Sequence, residues 1–222
     1  MKIVVFAPHP DDEIFGCGGS ILKWIEEGHN VHIIYITDNR VLISWGLKAN
    51  ELVIEEINDY VDLTEDQIAD IALKEAEDAA NALGFSPNNV HLLKIYDQDA
   101  INKIDLAVSF SKEIIRDADR IVLPGDIKSH PDHKATHIIA KQAAKELSLN
   151  AEFFVFYAVA PKKKQLKINI AKYRENLFEI MKIYKTQLCI KGTRAGWETL
   201  IRKRTERFGV YSLEDMDKYQ NF

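Results

Sequence analysis

Cysteine is scarce: Cys17 and Cys189 are the only two in 222 residues, which argues against a disulfide framework and for a reducing compartment. No apolar run approaches the ~18 residues of a membrane span, and Met1 leads straight into a strand-like segment without the basic and apolar regions of a signal peptide. The chain therefore reads as cytoplasmic, with no membrane span. Neither sign of charge dominates, since 34 acidic residues against 29 basic ones leave a net charge of −5. That balance supplies no basic field for nucleic acid or an anionic membrane, so a small neutral or polar substrate fits better. Glycine is sparse, 10 in all beside 28% charged residues, a composition that suits a heat-stable protein. Internal repeats and low-complexity tracts are missing too, which excludes solenoid and fibrous architectures.

What is present is core material and alternation. The chain is 46% hydrophobic, enough for one domain over residues 1–222. Apolar runs at 2–7, 31–36, 90–95, 121–123 and 152–159 read as strands. Between them lie helical patterns at 18–27, 73–83, 104–116 and 134–147, with Gly28 and Gly84 as stops. Such alternation predicts a parallel sheet with helices on both faces. Residues 40–70 interrupt it, and their Leu52-Val53-Ile54 and Ile57 suit a helical insertion or a lid. This insertion and the tail after Thr193 offer interface material for a homo-oligomer. The one basic run, Pro161-Lys162-Lys163-Lys164-Gln165, reads as a solvated loop.

Two segments carry the chemistry. Pro8-His9-Pro10-Asp11-Asp12-Glu13 follows the first strand, and His130-Pro131-Asp132-His133 follows the fourth. In a parallel α/β sheet both then face the crevice beyond the carboxyl ends of the strands. Three His and three Asp in ten positions read as a metal site. His9, Asp12 and His133 supply the three imidazole and carboxylate ligands of a catalytic zinc with an open fourth position. The prolines flanking His9 hold its backbone extended. Side chains of adjacent aspartates diverge, so one of Asp11 and Asp12 coordinates while the other works on a water whose pKa zinc brings to about 7. His130 faces the developing oxyanion or the leaving group, and Asp132 orients an imidazole.

Blander readings exist for each segment. Asp11-Asp12-Glu13 resembles a helix N-cap, and Gly16, Gly18 and Gly19 suit either close helix packing or a phosphate-holding turn without a dinucleotide spacing. The second glycine reading defines a rival function, a nucleotide- or sugar-phosphate-binding protein without turnover. Another rival is a metal-dependent hydrolase of a different small amide or of a phosphoester. A two-metal centre would draw on Asp126 and Asp132.

The two motifs together resemble those of the LmbE-like/PIG-L family of zinc-dependent N-acetylglucosaminyl deacetylases. The likeness extends to Thr37-Asp38, to the run from Glu75 to Leu83-Gly84, to Asp97, to the stretch 182–187 and to Glu206-Arg207-Phe208. It implies a Rossmann-like three-layer sandwich with a mostly parallel central sheet of five or six strands. It also implies one Zn²⁺ per chain and hydrolysis of the N-acetyl group of an N-acetylglucosamine-type substrate, releasing acetate and the free amine. By matched position, His9, Asp12 and His133 hold the metal, Asp11 is the general base, His130 assists and Asp132 supports. Asp97 falls where members contact sugar hydroxyls, and Asp38 and Lys74, the nearest base to a missing family arginine, are expected as further substrate contacts. The chain departs from the family at Ala72, where an arginine is common, and at Asn39 and Gln98, where glycine is common. The sugar itself stays open among a free disaccharide, a thiol-precursor glycoside and a glycolipid headgroup.

Overall fold

A computed structural model describes residues 1–53, 59–125, 130–156 and 164–218. In chain order the elements are β1 (Lys2–Ala7), α1 (Asp12–Glu26), β2 (Asn30–Thr37), α2 (Leu42–Ala49), α3 (Glu65–Leu83), β3 (Val90–Ile95), α4 (Ile104–Ile115) and β4 (Arg120–Pro124). There follow α5 (Pro131–Glu146), β5 (Glu152–Phe156), β6 (Gln165–Asn169), α6 (Arg174–Met181), α7 (Lys185–Leu188), α8 (Lys191–Leu200), β7 (Thr205–Tyr211) and α9 (Leu213–Lys218).

One sheet runs β3-β2-β1-β4-β5-β7-β6. β1 to β5 are parallel, while β7 pairs antiparallel with β5 and β6 antiparallel with β7. The five or six strands expected become seven, because both antiparallel strands lack the apolar signature of the others. β6 is an edge strand with little burial. In β7 the inward position before Phe208 is a buried carboxylate, Glu206, which breaks the apolar alternation.

Strand alternation sorts the core into two layers. Ile3, Val5 and Ala7 of β1 pack with α1, α3 and α6 on one face, and Val4 and Phe6 pack with α4 and α5 on the other. Each strand between helix layers is buried on both sides, which is why β1, β2, β4 and β5 read as continuous apolar runs. A smaller cluster of Ile43, Leu52, Ile68, Cys189 and Ile190 holds the 40–53 segment against the late helices. Within the expected insertion the chain forms α2 and the first turns of α3. That helix starts well before residue 73 because Thr64 and Gln67 make a reciprocal capping box. Ile54 and Ile57, Asp126, the end of the expected fifth strand and Pro161 to Lys163 of the basic run lie outside the described residues.

The strand order reverses between β1 and β4, since β2 and β3 lie on one side of β1, and β4 and β5 on the other. A crevice opens beyond the carboxyl ends at such a point. Both histidine motifs leave the sheet there.

Candidate metal centre and cleft

β1 ends at Ala7, and the next turn is fixed from β2: Thr37 donates both its N–H and its hydroxyl to Pro8 O, at 3.0 and 2.9 Å. Asp11 then takes φ 110° and ψ −25°, a left-handed conformation that costs a non-glycine residue free energy and clusters at functional sites. Its own N–H donates to Glu13 Oε2 at 3.2 Å. Behind it the buried Glu13 accepts from Tyr184 Oη at 2.6 Å, and Tyr184 meets Tyr35 Oη at 3.2 Å. Asp11 sits at the N-cap position of α1 but makes no side-chain cap hydrogen bond. Its carboxylate lines the cleft instead, so the capping account of this segment fails.

The His9, Asp12 and His133 side chains meet. Asp12 Oδ2 lies 3.1 Å from His9 Nδ1 and 3.3 Å from His133 Nε2, and it also accepts the His9 backbone N–H at 3.1 Å. His130 closes the group, its ring centroid 4.7 Å from that of His9 and 4.8 Å from that of His133. Pro131 at the first turn of α5 starts the helix that presents His130 and His133 together. His130 Nδ1 is buried with no hydrogen-bond partner among the described residues.

The other nitrogen of His9 is held from behind. Its Nε2 stands 3.3 Å from both Asp132 Oδ2 and Asp97 Oδ1. Asp132, fully buried, is itself fixed by the N–H groups of Gln98 at 2.7 Å and Ala100 at 3.2 Å. A carboxylate on the far side of a ligating imidazole fixes its tautomer and direction. His9, Asp97 and Asp132 also form a compact buried donor cluster of their own. We read it as the orienting shell of His9, because Asp132 already accepts two backbone N–H groups.

The imidazoles and carboxylates of the group shift one another strongly. Burial pulls His9 down, yet Asp12, Asp132 and Asp97 outweigh it and raise its pKa well above the ordinary value. Burial would lift Asp12, but the His133 and His9 imidazoles hold it well below the usual range. Burial, His9 and His133 depress His130 to about 4. Burial, followed by the Asp12 and Glu13 carboxylates, pushes Asp11 far up. Three imidazoles and a carboxylate converge on one point, with an orphaned ring nitrogen among them, and this donor set suits zinc.

The site opens into a cleft of about 590 Å³. Of the expected substrate contacts only Asp97 reaches it. Asp38 does not line it: that carboxylate is buried, paired with Arg40 at 2.7 Å and accepting the Asp97 N–H at 3.3 Å. Lys74 is exposed on α3 and pairs with Asp78 at 2.6 Å, away from the cleft. Sequence reasoning missed Trp45 and Gln187 on the walls. The only signal for Trp45 was a large aromatic inside the unexplained 40–70 stretch, and Gln187 merely closed a quoted motif.

Gly16, Gly18 and Gly19 lie within α1, pressed against neighbouring side chains. A Cβ at Gly16 would stand 2.5 Å from Phe156, at Gly18 2.8 Å from Leu177 and at Gly19 2.6 Å from Ile170. The N–H groups of Gly19 and Ser20 donate to Glu206 at 3.0 and 2.8 Å. These glycines allow close packing, and the Gly19 and Ser20 N–H groups are taken by Glu206 rather than offered to a ligand.

A doubly wound α/β fold with a buried cluster of His and Asp side chains, metal-ligating in type, at its switch point defines the class. Within that class, a model of the PIG-L family, GlcNAc-PI de-N-acetylase, matches residues 4–144, and the chain belongs to this family. Among solved structures it is similar to the N,N′-diacetylchitobiose deacetylase from Pyrococcus horikoshii, with a TM-score of 0.74 and 20% identity over 96% of this chain and 84% of that one. A deacetylase of the teicoplanin biosynthesis pathway superposes with a TM-score of 0.71 and 16% identity, over 96% of this chain and 98% of the other. The 4-carboxy-2-hydroxymuconate hydratase of Pseudomonas putida shares the fold as well, with a TM-score of 0.64 and 16% identity over 95% of each chain. A curated glucosamine-6-phosphate deaminase-like protein of Bacteroides thetaiotaomicron is 36% identical over 42 residues, 19% of this chain and only 6% of that protein's length. Among the described residues no helix is long and apolar enough to cross a membrane.

Proposed function

We propose that this protein is a zinc-dependent N-deacetylase that hydrolyses the acetamide of an N-acetylglucosamine-type substrate to acetate and the free amine. The observation that carries the reading is the strained, uncapped Asp11 facing the cleft beside the convergent His9, Asp12 and His133. His9, Asp12 and His133 would hold the metal. Zinc supplies Lewis acidity toward an amide carbonyl and toward water. Asp11, pushed up by burial and by its carboxylate neighbours, takes the proton from the attacking water and passes it to the leaving nitrogen. His130, kept neutral, donates a hydrogen bond to the oxyanion that forms on the substrate. Asp132 and Asp97 keep the His9 ring in place. The hydratase neighbour means that fold alone does not choose the reaction, whereas the family match favours the amide.

The test is acetate release across N-acetylglucosamine derivatives, with and without added zinc. Zinc-dependent release with about one zinc per chain is expected. His9→Ala and His133→Ala should lose both metal and turnover, and full metal occupancy in either variant rejects the ligand assignment.

A further inference from the structure

We propose that Glu13 is the positioning residue of Asp11, held in turn by the hydroxyls of Tyr184 and Tyr35, a role that rests on the reading of Asp11 as general base of the deacetylase. Asp11 keeps an uncommon backbone, φ 110° and ψ −25°, and its side chain is left to the cleft. Both ends of the residue are tied down. Its C=O accepts from Ile14 N at 2.9 Å and Phe15 N at 3.2 Å as α1 begins, and its N–H donates to Glu13 Oε2 at 3.2 Å. The carbonyl bonds come with any helix, whereas the N–H bond depends on one side chain. Without it a left-handed aspartate keeps a single anchor and relaxes toward the backbone that L-residues prefer, which turns its carboxylate away from the metal ligands.

The surroundings of Glu13 give it no other task. Glu13, Tyr35 and Tyr184 are fully buried, and the two tyrosines belong to the core layer that packs with α1, α3 and α6. An apolar layer needs no polar atoms, and a carboxylate placed there costs free energy unless it is hydrogen-bonded. Glu13 Oε1 accepts from Tyr184 Oη at 2.6 Å, and Tyr184 Oη lies 3.2 Å from Tyr35 Oη, so β2 and the segment before α7 together fix the carboxylate. One of its oxygens thus serves the anchor and the other serves Asp11. In a capping box the N-cap side chain would reach forward to the helix in return, and Asp11 makes no such bond. The reach back from Glu13 is one-sided: it shapes the backbone and leaves the Asp11 carboxylate unencumbered.

Three variants test this. Glu13→Leu removes the acceptor, and Glu13→Gln retains one, with a donor toward Tyr184. Tyr184→Phe removes a single hydroxyl without emptying the core, and carries the test where Glu13→Leu fails to fold. Hydrogen exchange followed by NMR reads the backbone directly. The Asp11 amide should exchange roughly 3–10-fold faster in Glu13→Leu and Tyr184→Phe, while the amides of β1 keep their wild-type rates. On the N-acetylglucosamine derivative that the zinc-loaded wild type deacetylates fastest, Glu13→Leu should lose roughly 10–100-fold in kcat with KM and zinc stoichiometry unchanged. Glu13→Gln should stay within about threefold of wild type. In an Asp11→Asn background the loss from Glu13→Leu or Tyr184→Phe should shrink to less than about twofold, because the effect passes through the missing carboxylate. A purely structural Glu13 would cost the same in both backgrounds. That result, or Asp11 exchange unchanged in every folded variant, overturns the proposal. Faster Asp11 exchange in a protein that releases acetate from none of the derivatives overturns the deacetylase reading and upholds the anchor. Acetate release with Asp11 exchange unchanged overturns the anchor and upholds the deacetylase reading.

Discussion

Two sets of buried carboxylates occupy opposite roles in this molecule. Glu206 and Glu75 point into backbone: Glu206 accepts from Gly19 N, Ser20 N and Ser20 Oγ, and Glu75 accepts the N–H and hydroxyl of Thr186. Asp12, Asp97 and Asp132 instead gather around imidazoles, and Asp11 faces open cleft. The first set is satisfied by the fold and tethers distant segments, α1 to β7 and α3 to α7. The second set is held in an arrangement that the fold alone does not complete. Burial by itself therefore says little about function here, and the partners decide.

The sharpest way to break this contrast is at Asp11. Asp11→Asn should keep zinc while losing roughly 10²–10⁴ in turnover, measured by metal analysis and acetate release on the same preparation; unchanged turnover removes Asp11 from the chemistry. On the other side, Glu206→Ala strands the buried Gly19 and Ser20 donors and should lower folding stability by about 3 kcal/mol. Zinc stoichiometry should not change, and denaturant unfolding beside metal analysis checks both halves of that statement. The smallest effect concerns pH. Burial raises Glu75 from 4.5 to about 7 despite its hydrogen bonds to Thr186. Folded Glu75 thus keeps its proton to a higher pH than the unfolded chain does, so its contribution is complete below about 4.5 and declines as pH rises to about 7. Thermal melting of Glu75→Gln between pH 5 and 8 should decline less steeply than that of wild type, and parallel curves would dismiss Glu75 as the titrating group.

Much of this was legible in the chain. The doubly buried strands announce themselves as apolar runs, and the two histidine motifs stand at strand ends where the topology makes them converge. Metal-ligand chemistry is local in type and needs only the fold to bring it together. The antiparallel strands were hidden because β6 buries little and because Glu206 occupies an inward position of β7. Of the expected substrate contacts Asp97 lines the cleft, while Asp38 and Lys74 do not, and for another reason. Asp38 and Lys74 were placed by likeness, whereas their directions are set by Arg40 and Asp78, contacts that no spacing rule reveals. Asn39 and Gln98 looked like departures from a glycine pattern, and their φ values of 58° and 71° show that the backbone shape was kept while side chains were added.

The bridge between Leu52 and Ile190 joins the early wall of the cleft to the late one, and the late wall includes Gln187, Gly192 and Thr193. All the proposed ligands lie within the family-matched stretch 4–144, and this late wall lies beyond it. Selection can therefore retune which molecule is admitted by rewriting the tail, leaving the reactive end of the chain untouched.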